Sequence, residues 1–163
     1  MGQALDKSSV RAALVARLEL DLAVATEAQR RTQSGATHEE SKPENDKDTR
    51  AIESSYLARG QAQRVLELTN SLALASALEL RRFAGDTPIA VSALVELDDG
   101  ERSTHYFLSP VGGGLTLDVG GTSVRVLTPQ APLGRALLGQ ALGSDVEVMT
   151  PQGLRQYSVA GVR

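Results

Sequence analysis

The sequence predicts an α+β chain: an N-terminal antiparallel α-helical coiled-coil hairpin, followed by a small antiparallel sheet domain with one short helix. Two observations predict it. Residues 1–83 are rich in Ala, Leu, Glu, Gln and Arg, which favour helix, whereas residues 84–163 hold 12 of the 15 glycines and five of the six prolines. The apolar spacing also changes near residue 84, from three or four residues to two. We therefore place a domain boundary there, giving domains 1–83 and 84–163.

The first domain carries two apolar stripes at helical spacing, which predict two helices packed against each other. The first stripe comprises Val10, Ala13, Leu14, Leu18, Leu22, Ala25 and Ala28. The second has a weaker apolar content and comprises Ile52, Ser55, Tyr56, Arg59, Ala62, Leu66, Thr69, Ala73, Ala77 and Leu80. The segment between them, about 34–50, has no apolar residue larger than alanine, and we expect it to form the tip of the hairpin.

The second domain alternates apolar and polar residues, which predicts strands. We expect a first strand over 89–97, with Ile89, Val91, Ala93, Val95 and Leu97 on one face. The other predicted strands are 103–108, 115–119, 123–127, 146–148 and 156–159. A short helix over 133–138 is expected to end at Gly139, because glycine is favoured after a helix C-terminus.

Composition excludes several function classes. The 17 basic and 20 acidic residues give a net charge of −3, which argues against a broad cationic face for nucleic acid. With no cysteine and two histidines, the chain has no disulfides and little to offer a zinc site. Apolar runs are short and no basic segment leads one, so we expect no signal peptide, no membrane span and a cytoplasmic location.

Acidic residues crowd in the predicted tip, namely Glu39, Glu40, Glu44, Asp46 and Asp48. Carboxylate oxygens are hard ligands that can share a Mg²⁺ held by another molecule. A solvated hairpin tip must also be polar for purely structural reasons. In addition, Ser41-Lys42-Pro43-Glu44 fits a capping box, in which Ser41 and Glu44 start the second helix. Catalytic motifs for nucleophilic, phosphate-binding or zinc chemistry are missing, so a self-sufficient enzyme is not expected.

One run of the second domain resembles a known family. It reads Pro132-Leu133-Gly134-Arg135-Ala136-Leu137-Leu138-Gly139-Gln140, then Gly143, then Asp145-Val146-Glu147-Val148, then Thr150-Pro151-Gln152-Gly153. Together with the helical hairpin and the Glu44-Asn45 dipeptide, this run closely resembles the Gre transcript-cleavage factors of bacterial RNA polymerase, the GreA/GreB family. The resemblance implies an FKBP-like sheet domain, without prolyl isomerase activity because the aromatic residues are too few for its cavity.

The resemblance also implies a role for the hairpin tip. In the family, the sheet domain docks at the rim of the polymerase secondary channel, and the hairpin presents acidic residues to the active centre. There a tip Asp, followed three residues later by Glu-Asn, helps hold the second catalytic Mg²⁺ for hydrolysis of backtracked RNA. By this resemblance Glu44 contacts the metal, Asn45 orients the tip, and Glu40 or Asp46 supplies the second carboxylate. Pro132 and Leu133 would contact the polymerase, and the protein would act as a monomer.

The sequence departs from the family pattern at both ends. Ser41 stands where the family has the tip Asp, and Gln130 and Ala131 stand where some members have Asp-Ser before the docking proline. Three hypotheses follow: a secondary-channel elongation factor that stimulates transcript cleavage, a non-cleaving channel regulator that inhibits or competes, and a helical-hairpin protein unrelated to transcription. Arg30 and Arg31 either face nascent RNA or pair with nearby acids.

Overall fold

The structure is a computed structural model, and it describes residues 5–39 and 47–163, with side chains described for 5–35 and 49–163. The elements, in chain order, are α1 (Lys7–Glu39), α2 (Lys47–Ser76), β1 (Leu94–Asp98), β2 (Ser103–Leu108), β3 (Thr116–Val119), β4 (Thr122–Leu127), α3 (Pro132–Leu137), β5 (Asp145–Thr150) and β6 (Gly153–Val162). This order confirms the predicted helical hairpin followed by a sheet domain with one short helix.

The chain divides into two compact units. The hairpin unit runs from Arg17 to Ala73 and contains most of both helices. The sheet unit contains Leu74–Arg163 together with the chain up to Ala16. The first turns of α1 therefore belong to the sheet unit rather than to the hairpin unit.

The apolar stripe predicted on α1 is the side of that helix that loses exposure. Val10, Leu14 and Leu18 are buried, and the other predicted stripe residues are half-buried. Asp6 begins the helix as its N-cap, because its carboxylate accepts hydrogen bonds from the backbone N–H groups of Ser8, at 3.1 Å, and Ser9, at 3.2 Å. This cap lies just before the start of the predicted stripe.

The stripe predicted on α2 is wrong. Ile52, Tyr56 and Leu66 are 65%, 77% and 54% exposed. The residues that lose exposure define a different face, which we call the α2 seam: Ser54, Ala58, Gln61, Val65, Leu68 and Leu72. Their spacing alternates between four and three residues, as in a coiled coil. Because the seam includes Ser54 and Gln61 while apolar residues lie outside it, apolar periodicity alone identified the wrong face.

The six strands form one sheet in the order β3-β4-β2-β1-β6-β5. Neighbouring strands are antiparallel except β2 and β4, which run parallel. One face of the sheet carries the main core, against which α3 packs. The core comprises Phe83, Ile89, Ala93, Val95, Leu97, Tyr106, Leu108, Leu127, Leu137, Val146 and Val159.

The opposite face of the sheet is partly covered by the start of α1. A Cβ built on Gly112, whose φ is +79°, would lie 2.7 Å from Leu14 Cδ1 and 3.7 Å from Val126 Cγ1. Glycine therefore suits this position, because a side chain here would be strained at the positive φ and would displace the end of Leu14. Phe107, whose neighbour in the parallel register is Val126, is fully buried. The sheet thus has apolar contacts on both faces at this end.

The predicted strand over 89–97 is only half correct. β1 begins at Leu94, and a turn occupies the preceding residues. Ser92 has a φ of 76°, which a strand does not tolerate. The turn is held by hydrogen bonds, since Ser92 N–H donates to the Leu108 carbonyl at 2.8 Å and Ser92 Oγ accepts from Arg81 N–H at 2.9 Å.

Candidate functional site

The segment between the two long helices is shorter than the predicted tip. α1 continues to Glu39 and α2 begins at Lys47, so the helices take up much of the segment 34–50 that was expected to form the tip. His38 and Glu39 are helical residues rather than tip residues. Residues 40–46 are therefore the part of the predicted tip that lies between the two helices in sequence.

The predicted site residues lie in this connection. Glu40, Glu44, Asn45 and Asp46, as well as Ser41 at the position of the family Asp, are outside the described residues. The capping box of Ser41 and Glu44 is outside them too. Their catalytic and metal-binding roles stay predictions.

The helices that lead to this connection are long. α1 has 33 residues and α2 has 30. At 1.5 Å per residue the two helices measure about 50 and 45 Å. Within the hairpin unit, the part of α1 after Ala16 has a length of about 35 Å on the same scale. The acidic connection therefore joins the far ends of two long helices.

Arg30 and Arg31 both pair with one carboxylate on α1. Arg30 donates two hydrogen bonds to Glu27, each at 2.9 Å, and Arg31 donates one at 3.1 Å. These hydrogen bonds lower the pKa of Glu27 to about 2, so that it stays ionised at neutral pH. Pairing with a nearby acid, rather than a free basic patch, is the outcome that the structure supports.

The predicted docking residues Pro132 and Leu133 open α3. Pro132 is exposed in the first turn, where its missing N–H costs nothing. Leu133 is half-buried and packs against the main core. Pro132 therefore presents an accessible surface, whereas Leu133 offers only part of its side chain to a partner. Their contact with a partner stays a prediction.

Gly134 fixes where α3 lies. A Cβ on Gly134 would lie 2.0 Å from the carbonyl oxygen of Thr128, so no other residue fits without moving the backbone. Ala131 at the N-cap makes no side-chain hydrogen bond. The position of this short helix thus depends on backbone contact with the 128–131 loop rather than on a cap.

Part of α2 exposes apolar side chains that the sequence predicted to be packed against α1. Ile52 and Tyr56 lie beside Ala51, Ser55 and Arg59 along a shallow depression of the hairpin unit. A single exposed apolar side chain is ordinary on a protein surface, but two large ones lie along the same depression here. Their apolar character was visible in the sequence, but their exposure was not.

Within residues 5–35 and 49–163, no group of three or more His, Cys, Asp or Glu side chains is arranged to hold a metal ion. The sequence suggests a functional metal only at the acidic connection, because its carboxylates provide the hard oxygen donors that Mg²⁺ prefers. Among the described helices, none is both long and apolar enough to span a membrane.

Comparisons with known proteins point to one family, although no protein-family profile matches the chain. Transcription elongation factor GreA of Syntrophus aciditrophicus (strain SB) is 27% identical over 121 residues, which cover 73% of this chain and 69% of that protein. GreA of Methylobacterium sp. (strain 4-46) is 33% identical over 115 residues, which cover 66% and 68%. The chain spans only 60% of GreA of Bradyrhizobium sp. (strain BTAi1), with 33% identity.

A solved structure of the transcription factor Gfh1 aligns with 93% of this chain and 94% of its own, at 23% identity and a TM-score of 0.41. That TM-score is too low to support an argument from fold. The assignment rests on the sequence relatives, in particular the 33% identity over more than two thirds of the Methylobacterium protein. The chain belongs to the GreA family of transcription elongation factors.

Proposed function

We propose that this protein is a transcription elongation factor that acts on bacterial RNA polymerase, as an accessory factor rather than an enzyme in its own right. The observation that carries the proposal is family membership, because the relative that matches at 33% identity over 68% of its length is named transcription elongation factor GreA. The helical hairpin and sheet domain are the architecture that the resemblance to this family implies.

The hairpin is the part that would reach the polymerase active centre. Helices of about 50 and 45 Å, joined by the acidic connection 40–46, suit insertion into the secondary channel. The sheet domain would dock at the channel rim through Pro132 and the exposed part of Leu133. A monomer suffices for this arrangement.

The acidic connection would act on the RNA 3′ end. Glu44 would contact the weakly held Mg²⁺ of the polymerase, Glu40 or Asp46 would add a second carboxylate, and Asn45 would orient the connection. A second metal ion in such a centre stabilises the attacking and leaving oxygens of the phosphoryl transfer. The contribution of this chain would be to place negative oxygens without having to form a metal cage of its own.

Shortening of the RNA in backtracked complexes tests whether the protein stimulates transcript cleavage. Stalled, backtracked complexes are incubated with Mg²⁺ and the protein, and the RNA lengths are measured. We expect shortened transcripts with the wild type and a loss of about 10²-fold in cleavage rate for Glu44→Ala, because misplaced charge at a reaction centre is costly. Glu53→Ala is the matched control, since Glu53 is exposed on α2 and is a carboxylate outside the connection.

Equal cleavage by Glu44→Ala and the wild type would remove Glu44 from the proposed site. A second function, a non-cleaving regulator that blocks nucleotide entry or competes with other channel factors, is favoured by one observation, the presence of Ser41 in place of the family Asp. This version predicts inhibited RNA synthesis without shortened transcripts. It also predicts that Ser41→Asp introduces cleavage, because that substitution restores the missing carboxylate.

A further inference from the structure

Contacts place four cationic side chains around the first turns of α1, namely Lys7, Arg11, Arg81 and Arg163. Arg82 is exposed and follows Arg81 in sequence, and we call the five residues together the α1 cation cluster. Lys7 and Arg11 are one helical turn apart on α1, so their side chains share a face of the helix. Arg81 and Arg82 follow α2, and Arg163 follows β6. All five belong to the sheet unit.

Three members of the cluster donate side-chain hydrogen bonds to backbone carbonyl oxygens. The Lys7 ammonium donates to the carbonyl oxygen of Arg81. The Arg11 guanidinium donates to the Leu78 carbonyl at 2.8 Å, and Arg163 donates to the Leu5 carbonyl at 3.2 Å. Three separate parts of the chain are thereby brought to one place, each with its positive charge.

Phe83 orders two of the cations. The Lys7 ammonium lies 4.7 Å from the centre of the Phe83 ring, and the Arg81 guanidinium carbon lies 5.7 Å from it. Both distances are within the range of cation–π attraction. Phe83 is 8% exposed and is part of the main core, so it is a fixed support for these two charges and is not free to stack on a base.

The positive charge of the cluster is only partly balanced locally. Over the described part of the chain, none of its five members has a carboxylate within ion-pair distance, whereas Arg17, Arg30 and Arg31 each have one. Asp6 precedes Lys7 and contributes one negative charge, but its oxygens accept hydrogen bonds from Ser8 and Ser9 rather than from a cation of the cluster. Burial, followed by the charge of Arg81, lowers the pKa of Lys7. An anion beside this cluster would relieve that repulsion.

We propose that the α1 cation cluster is a contact surface for an acidic, carboxylate-bearing segment of a protein partner. Arginine forks match carboxylate geometry, and Arg81, Arg82 and Arg163 are exposed to solvent. Carboxylates suit the cluster better than nucleic acid does. The chain as a whole has a net charge of −3 despite these five cations, so its remaining surface repels a long polyphosphate. The buried Phe83 also offers no stacking platform.

The identity of the partner rests on the proposed function, which makes it an acidic segment of RNA polymerase. Labelled protein is titrated with core polymerase at low and at high salt, using fluorescence anisotropy. We expect the double variant Arg81→Glu/Arg82→Glu to bind about tenfold more weakly at low salt, with a shallower salt dependence, because charge pairs at an interface are screened by salt. Circular dichroism verifies that the variant is folded.

Arg125→Glu is the matched control. Arg125 is exposed on β4 and has no ion pair among the described residues, and its reversal changes the net charge in the same direction as the double variant, by half as much. We expect the control to bind core polymerase within about twofold of the wild type. Equal binding by the double variant and the wild type would overturn the proposal.

A second titration separates this inference from the proposed function. A labelled oligoglutamate peptide and a single-stranded RNA of equal charge are each added to the wild type and to the double variant at low salt. The cluster predicts that the peptide binds and that the charge reversal weakens it, even if the wild type fails to bind polymerase and the proposed function is wrong. Absence of peptide binding, or preference of the cluster for RNA, would contradict a carboxylate-bearing partner.

Discussion

The hairpin unit and the sheet unit are stabilised in different ways. The sheet unit has a continuous core of large side chains on one face and further apolar contacts on the other. The α2 seam of the hairpin contains one buried leucine, Leu68, and polar residues such as Gln61. Large apolar residues of α2 lie outside the seam. The α2 seam therefore contributes less apolar packing than the core of the sheet unit, which brings together large side chains from distant parts of the chain.

Truncation of a core residue gives the largest expected difference between the units. Phe107 is fully buried in β2, and we expect Phe107→Ala to lower the free energy of unfolding by about 3–5 kcal/mol. Leu66 on α2 is 54% exposed, and we expect Leu66→Ala to change it by less than about 0.5 kcal/mol. Urea unfolding followed by circular dichroism measures both. Similar losses for the two variants would refute the contrast between the units.

Replacing a glycine by alanine is expected to have opposite effects on stability in the two units. The Cβ of Gly134→Ala would collide with the Thr128 backbone at 2.0 Å, and we expect a loss of about 3 kcal/mol in unfolding free energy because backbone must move. Gly60 on α2 has open space around the same position. Gly60→Ala should raise stability by about 1 kcal/mol, since alanine favours helix over glycine. Thermal unfolding measures both variants. Changes of the same sign would contradict the expected difference between the two positions.

Replacement of a buried polar residue tests the seam of the hairpin. Gln61 Oε1 is buried and accepts no hydrogen bond from the residues that the structure describes. We expect Gln61→Leu to raise the unfolding free energy by about 1–2 kcal/mol, because it removes the cost of an unsatisfied polar atom. Gln63 donates to Glu67 at 3.0 Å and is exposed, so Gln63→Leu is the control that gains nothing. Destabilisation by Gln61→Leu would contradict the cost assigned to the unsatisfied Gln61 oxygen.

The N-cap of α1 gives the smallest effect and the only one that depends on pH. Hydrogen bonds from Ser8 and Ser9 lower the pKa of Asp6 to about 2. A carboxylate with a lowered folded pKa stabilises above its unfolded pKa, and that stability is lost as the pH falls through the folded value. We expect Asp6→Ala to cost about 1 kcal/mol at neutral pH. The difference from wild type should shrink between about pH 4 and pH 2.

Acid titration of both proteins, by urea unfolding at a series of pH values, checks this behaviour. Asp6→Asn is the control, because asparagine caps a helix comparably but does not titrate. The Asp6→Asn variant should keep a stabilising helix cap from about pH 4 to pH 2. A difference between wild type and Asp6→Ala that stays constant down to pH 2 would mean that Asp6 is not the titrating cap.

Much of the fold was predictable because its signals are local. The strand from Ser103 to Leu108 and the hairpin of β3 and β4 about Gly120-Gly121 are confirmed, since alternation and turn glycines act over a few residues. The α1 stripe is confirmed for the same reason. The acidic connection was recognised by composition and by resemblance to the family, and its residues remain predictions because they lie outside the described residues.

Features that depend on distant contacts were not predictable. Periodicity cannot tell which of two stripes on α2 faces a partner, and Ile52 and Tyr56 were placed on the wrong side. The parallel pairing of β2 with β4 and the turn at Ser92 depend on hydrogen bonds between separate segments. The close approach of Gly134 to Thr128 depends on them as well.

The amino-acid sequence by itself determined two long helices, a set of strands, a short helix and an acidic connection, because helix propensity and apolar spacing act between near neighbours. Only the tertiary structure decided which face of α2 is buried, that Leu14 lies against Gly112, and that Lys7 and Arg81, from two parts of the chain, meet at Phe83. These outcomes depend on which distant surfaces come within contact distance, and no spacing rule along one segment contains that information.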